Sequence, residues 1–334
     1  MLGIGKIDFD LLNEIVSRNL GAERDDVIIG PSIGEDAAII RVGDTEYVIV
    51  AHTDPVTEAY SNLGWLAVNV AANDIAVSGA EPSWLLMTIL LPPGSSLERL
   101  ESILKEAGEA AGRIGASIVG GHTEVSPGIT KPIVIVTAIG LAYIDSYTPT
   151  RNARPGDVVF QVKPAALEGT AIIAHDFKDK LILKGVEENL IYRAERFIEE
   201  ISVVQPALLL ARERLVNSMH DPTEGGILGG LIEVARSSGT SLLIDTRKIL
   251  VRPETLEICN ALNVDWLRLI SSGSIIGTMP PSKTERAAKL LEHNGFGFSV
   301  IGKVVDKRGF DVRLTDKNEE YSGFIEDEIS SLFK

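Results

Sequence analysis

The sequence predicts an α+β protein of two domains, and three observations carry that reading. A chain of 334 residues is long enough for two cores of ordinary size. Segments with strand and helix periodicity follow one another without the strict alternation of a doubly wound sheet. A polar, turn-forming stretch, Asp145 to Gly156, holds Pro149, Pro155, Gly156, Arg151 and Arg154 and marks the best boundary. The expected domains are therefore residues 1–148 and 149–334.

Taken in order, Asp8 caps a helix to about Asn19, with Phe9, Leu12, Ile15 and Val16 on one face. Two apolar arms, Ala37 to Val42 and Tyr47 to Val50, flank a Gly43-Asp44 break and read as a β-hairpin. With its turn near Asp44 and Thr45, Asp36 and Asp54 fall opposite one another at the open end, because antiparallel partners share a constant index sum. Ser61 to Ser78 has the composition of a buried helix, yet it carries Asn69, Asn73 and Asp74. Trp84 to Leu91 is a buried strand, Ser95 caps a helix through about Arg113, Ala116 to Val119 is a short strand, and Ile133 to Tyr143 is a long one. Past the boundary, strands are expected over 157–162, 241–244, 274–279 and 298–304. Helices are expected over 165–174, 205–216, 226–235, 253–262 and 283–293.

Composition limits the function classes. Apolar residues make up 45 % and charged residues 24 %, and no apolar run approaches the ~20 residues that span a bilayer. A formal charge of -15 argues against a general nucleic-acid or anionic-membrane binder. The first residues lack a secretory pattern, so a cytoplasmic protein is expected. The single cysteine, Cys259, excludes an internal disulfide and lies in an expected helix as a buried structural thiol.

Three motifs suggest chemistry. Asp36, Asp54 and Asp74 would be mutually repulsive if gathered, and hard oxygen ligands of that kind select magnesium, which points to a magnesium-nucleotide site. The plainer alternative makes Asp36 and Asp54 turn residues and Asp74 an incidental polar residue; spacing alone does not decide. Gly120-Gly121-His122-Thr123-Glu124 follows a strand, so its amides could face phosphate oxygens, or it is a simple strand-end turn. Asp221-Pro222-Thr223-Glu224-Gly225-Gly226 begins a helix and is either an anion site or ordinary capping. A Gly-Lys-Ser/Thr phosphate loop, a strand-linked GxGxxG and an HExxH pattern are all missing, so ATP would be held by another device.

The ordered set GEDAA at Gly34, HTDP at His52, the Asn73-Asp74 helix ending in Gly79-Ala80-Glu81-Pro82, GGHTE at Gly120, RPGD at Arg154 and DPTEGG at Asp221 resembles the PurM-like superfamily, related to aminoimidazole ribonucleotide synthetase. Within it the set is most similar to hydrogenase maturation factors of the HypE type, from Lys6 to about Lys307. The resemblance implies an N-terminal α/β domain that joins its sheet to that of a second subunit in a homodimer, a C-terminal α+β domain, and ATP with Mg2+ in the cleft. It implies that Asp36, Asp54 and Asp74 hold metal and phosphates, that Asn73 touches nucleotide or metal, that Gly120, Gly121, His122 and Thr123 line the phosphate path, and that Asp221 and Thr223 face the substrate. Asp74 and His122 are the expected catalytic positions.

The implied chemistry is transfer of the γ-phosphoryl group of ATP to an oxygen of a small molecule or carboxamide. A nucleotide-binding partner of another maturation protein, with little turnover, is the alternative. A metal-dependent phosphatase, a thiamine-monophosphate kinase and a selenophosphate synthetase are further readings, the last disfavoured because the N-terminal region has no cysteine. Three departures stand out. HypE proteins end in a cysteine where this sequence ends Ser331-Leu332-Phe333-Lys334; His122 stands where relatives commonly have Asp or Glu; Glu224 stands where HypE-like sequences usually have Arg.

Overall fold

The computed structural model describes residues 6–57, 59 and 61–332. Two sheets organise the chain. The first has the order β1-β2-β3-β6-β4-β5, from β1 (Val27–Ile29), β2 (Ala38–Arg41), β3 (Tyr47–Val56), β4 (Glu81–Leu91), β5 (Ser117–Val125) and β6 (Ile133–Tyr143). Only β4 and β5 run parallel; the other pairs are antiparallel. Helices α2 (Leu63–Val77) and α3 (Leu97–Ile114) cover one face. Strand alternation follows: Val48, Val50, Leu85, Met87, Val134 and Val136 are buried beneath the helices. Tyr47, Trp84, Leu86, Leu141 and Tyr143 stand exposed on the opposite face, which no element among the described residues covers.

Residues 144–157 lead to a seven-stranded mixed sheet built between Val158 and Tyr321. The expected segments after the boundary are all present within a few residues. Sequence reading passed over the helices Lys178–Leu183 and Glu188–Glu195 and the strands Ser218–His220, Val312–Leu314 and Glu319–Tyr321. Each is short, and burial by distant neighbours rather than local pattern fixes it.

α2 is the element on which both halves converge. Its buried stretch includes Asn69, Asn73 and Asp74, and its residues Ala72, Ala76 and Val77 pack with the second sheet. Asn73 Nδ2 donates to the Ile201 carbonyl at 3.0 Å, while its Oδ1 accepts from the Val203 amide at 2.8 Å. The side chain expected to touch nucleotide or metal therefore clasps the second half of the molecule. Cys259 is buried, as expected, and burial pushes its thiol up to about 12. Among the described residues, no helix is long and apolar enough to cross a membrane.

Candidate active site

The hairpin is real, with Ala38 opposite Ala51 and Ile39 opposite Val50. Its index sum puts Asp54 one residue out of register with Asp36. The ladder ends at Ala38, however, so Asp36 is free of the pleat and turns inward. Period 2 along β3 aims His52 and Asp54 at α2, where Asp74 waits. The Ser218–His220 strand delivers His220 and Asp221 from the second sheet.

These side chains line a cavity of about 380 Å3. Carboxylate oxygens of Asp36, Asp74 and Asp221 lie within 4.8 Å of one another, and so do ligand atoms of His52, Asp54 and Asp74. Asp36, Asp54 and Asp74 are thus brought together as two overlapping groups that share Asp74. His52 Nε2 is 3.4 Å from Asp74 Oδ2 and 4.0 Å from Asp54 Oδ1. Asp74 Oδ2 and both oxygens of Asp221 are buried without any hydrogen-bond partner. Unpartnered carboxylate oxygens in such a place cost several kcal/mol each, of order, unless a cation meets them.

Electrostatics express the same demand. Burial first, then the charges of Asp221, Asp54 and Asp36, holds Asp74 well above the usual carboxylate range. Burial and the Asp36 charge push Asp221 up to about 7. Burial lowers the His52 imidazole, but Asp54, Asp36 and Asp221 outweigh it and hold His52 above its ordinary value. Asp36 has its own partner: His220 Nδ1 lies 2.5 Å from Asp36 Oδ1, an ion pair rather than an aligned hydrogen bond. His220 Nε2 meets Glu233 at 3.0 Å, and Lys6 Nζ meets Glu233 at 2.9 Å. Burial disfavours the Glu233 charge, yet Lys6 and His220 outweigh that and bring it down to about 2. Lys6, Glu233, His220 and Asp36 form a line of alternating charge that fixes one wall, buried at Glu233, His220 and Asp36 and exposed at its Lys6 end.

Gly34 belongs to that wall. A Cβ on Gly34 would come within 2.5 Å of the Glu233 carbonyl, and its φ of +73° is a conformation side chains avoid. α1 (Phe9–Val16), capped by Asp8, adds Phe9, Leu12 and Val16 to the cavity lining. Phe9 is pinned edge-on to Phe324 with the Arg236 guanidinium over its ring.

Two expectations change. Gly120 to Glu124 is not a loop but the middle of edge strand β5. Gly121 shares a row with Met87, Val136 and Asp54, three strand spacings or about 14 Å from Asp54. His122 shares the next row, with Thr88, Ile135 and Pro55, on the uncovered face; it is exposed and bonded to Glu124 at 3.1 Å. Within one chain, Gly120, Gly121, His122 and Thr123 do not line the cavity. The glycine has a local reason: a Cβ on Gly121 would collide with the Met87 carbonyl at 1.8 Å. At DPTEGG, Asp221, Thr223 and Glu224 do line the cavity, but the Gly225 amide at the helix start is taken by Asp327 Oδ2 at 2.7 Å. The anion position there is filled by the chain itself. His52, His220, Glu233 and Lys6 were not singled out from sequence; the HTDP spacing, which puts His52 on the face of Asp54, was the one available signal.

The family model of the AIR synthase-related protein N-terminal domain matches residues 34–142, and that of the C-terminal domain matches residues 154–315. The chain belongs to the AIR synthase-related family. Among curated relatives, a putative hydrogenase expression/formation protein of Methanocaldococcus jannaschii is 29 % identical over 302 residues, covering 88 % of this chain and 85 % of that protein. The carbamoyl dehydratase HypE of Rhodobacter capsulatus is 27 % identical over 322 residues, 93 % of this chain and 90 % of that protein. Among solved structures, AaThiL complexed with AMPPCP and TMP has a TM-score of 0.75 at 18 % identity, covering 97 % and 98 % of the two chains. HypE in complex with ATP has a TM-score of 0.70 at 22 % identity, covering 95 % and 92 %. These similarities establish the two-domain PurM-like fold of the AIR synthase-related family for this chain.

Proposed function

We propose that this AIR synthase-related protein is a magnesium-dependent enzyme that transfers the γ-phosphoryl group of ATP to a small molecule. One observation carries the reading: Asp36, Asp54, Asp74 and Asp221 converge on one cavity, with three of their oxygens buried and unpartnered. Hard oxygen donors in that number fit Mg2+, and His52 beside Asp54 and Asp74 is compatible with a site that keeps some water. Asp36, Asp74 and Asp221 would hold one ion; Asp54 and Asp74 would serve the adjacent position. Bound there, the ion supplies neutralisation of phosphate charge.

The chain's own residues do the rest. Asp74 and Asp221 release the protons that burial and repulsion favour. The Lys6–Glu233–His220 chain of contacts holds Asp36 aimed into the cavity, with His220 Nδ1 beside Asp36 Oδ1. His52 Nε2, facing Asp74, is placed to hold or pass a proton at the cavity mouth. The ATP complex of a HypE protein and the AMPPCP complex of AaThiL support the nucleotide. The similarity to a HypE–HypF complex, at a TM-score of 0.72 and 21 % identity, supports a second reading as a nucleotide-binding partner in metallocentre maturation.

A homodimer is part of the proposal. The uncovered apolar face with Trp84, Leu86, Leu141 and Tyr143 suits a second copy, which would bring each β5 motif, His122 included, towards the neighbouring subunit. Calorimetric titration of ATP with and without Mg2+, on the parent and on Asp74→Asn, followed by ADP release on the same samples, tests the reading. Magnesium-dependent binding lost in the variant is expected. Absence of ATP binding by the parent overturns it, and binding without turnover on any acceptor favours the partner reading.

A further inference from the structure

The main cavity has a side branch of about 40 Å3, reached past Asp54, Thr223 and Glu224, that the metal and phosphate reading leaves unused. Its end is formed by Glu168 and Ser272. Glu168 sits in the first turn of α4 (Leu167–Asp176), directly after Ala166, whose φ of 57° turns the chain into the helix. Glu168 is only 5 % exposed and Ser272 1 %. Neither Glu168 Oε2 nor Ser272 Oγ has a well-aligned hydrogen-bond partner, and the Ser272 hydroxyl lies close enough to Glu168 to favour its carboxylate weakly. A buried carboxyl whose one near partner is poorly aligned keeps acceptor capacity that a further donor would satisfy.

The character of the missing group follows from charge. Asp54 and Glu224 line the branch with Glu168, and Asp327 adds its field from behind. Among the described residues lining it there is no lysine, arginine or histidine. Burial pushes the Glu168 carboxyl up to about 8, with Glu224, Asp327 and Asp54 adding to the effect, as expected of an acid lacking a counter-charge. The remaining wall is apolar, with Val56, Val70, Ile172 and Ile270, and would sheath a short stem. A branch of about 40 Å3 has room for about two or three water-sized groups, which suits a methylammonium or a guanidinium head and excludes a ring system.

We propose that the branch is a specificity subsite for a cationic nitrogen of the phosphoryl acceptor, an amine, amidine or guanidine held by Glu168 and Glu224 with Ser272 accepting a further hydrogen bond. The acceptor is then a small amino compound whose oxygen reaches the metal cluster while its nitrogen lies in the branch. This rests on the proposed phosphoryl-transfer reading for the position of the reacting oxygen, and the branch fixes the other end.

The test uses the full chain and two probes, methylammonium chloride and guanidinium chloride at millimolar concentration, with methanol and sodium acetate as matched neutral and anionic controls. Binding is followed by protein NMR shifts in the presence of saturating Mg2+ and AMPPCP. The parent is expected to bind both cations and neither control. Glu168→Gln should weaken probe binding at least fivefold while Mg2+–AMPPCP affinity stays within twofold, which also reports that the variant is folded; Glu224→Gln, whose side chain lines both the branch and the main cavity, should weaken probe binding as well. Equal probe binding by the parent and Glu168→Gln, or binding of acetate as strong as that of the cations, overturns the proposal. So does competitive displacement of the probes by Mg2+ alone, which would make the branch a metal position. Failure of AMPPCP to bind, with probe binding still lost in Glu168→Gln, would sink the phosphoryl-transfer reading and leave the cation subsite standing.

Discussion

Replacing Asp221 by Asn tests whether the acidic cluster is held under electrostatic stress for the sake of a cation. Asp221 is fully enclosed and ionises at about 7, against 3.8 for an ordinary carboxyl. The sign follows from that direction. An acid whose folded value is raised favours the protonated fold, so the penalty is absent below about pH 4, grows as pH rises, and is complete above about 7. At pH 8 it amounts to about 4 kcal/mol, shared with Asp36 and Asp74 because their titrations are linked. The amide that replaces the carboxyl gives back about 1–3 kcal/mol if it finds no partner. In the absence of divalent ions, Asp221→Asn should therefore gain about 2 kcal/mol at pH 8, a few degrees in Tm, and gain nothing at pH 5. Added Mg2+ should reverse the order at pH 8, raising the Tm of the parent and leaving the variant unmoved. Thermal denaturation at the two pH values, with chelator or with Mg2+, reads all four states. A difference between parent and variant that is the same at pH 5 and pH 8 refutes the reasoning, because it would mean that no charge is removed.

Three further outcomes follow from the geometry. Mg2+ affinity should rise up to about tenfold per pH unit below 7 and flatten above it, because Asp221 must lose its proton to bind; calorimetry in buffers of differing ionisation enthalpy should find protons released. Asn73→Ala should cost about 2–4 kcal/mol in urea denaturation by orphaning the Ile201 carbonyl and the Val203 amide, and a loss below about 0.5 kcal/mol would show that the clasp is dispensable. Cys259 should resist iodoacetamide in the native protein and react on unfolding, since burial keeps it a thiol; rapid native labelling would contradict its place in the core.

What could be read beforehand was set by local periodicity. The β2–β3 hairpin, α2 and β6 announce themselves because their apolar pattern needs only near neighbours, whereas Asp36 reaches the cavity from beyond the end of the ladder rather than by the hairpin register that the turn suggested. Two of the expected positions have a local structural reason of one kind. A glycine pair and a buried amide each say that something must come close, without saying what. At Gly121 the close object is the Met87 carbonyl of the neighbouring strand, and at Asn73 it is backbone from the far half of the chain. His220, Glu233 and Glu168 carried no legible signal because their burial is created by elements far apart in sequence: Glu233 becomes a charge partner only when the Ser218–His220 strand, the helix Gly226–Ser238 and Lys6 meet. A motif thus marks where the backbone is constrained, and the charge left without a partner after folding marks where a ligand belongs. By that criterion the unpartnered oxygens of Asp74, Asp221 and Glu168 mark the proposed ligand positions, and Gly120 to Glu124 stand apart from them within one subunit.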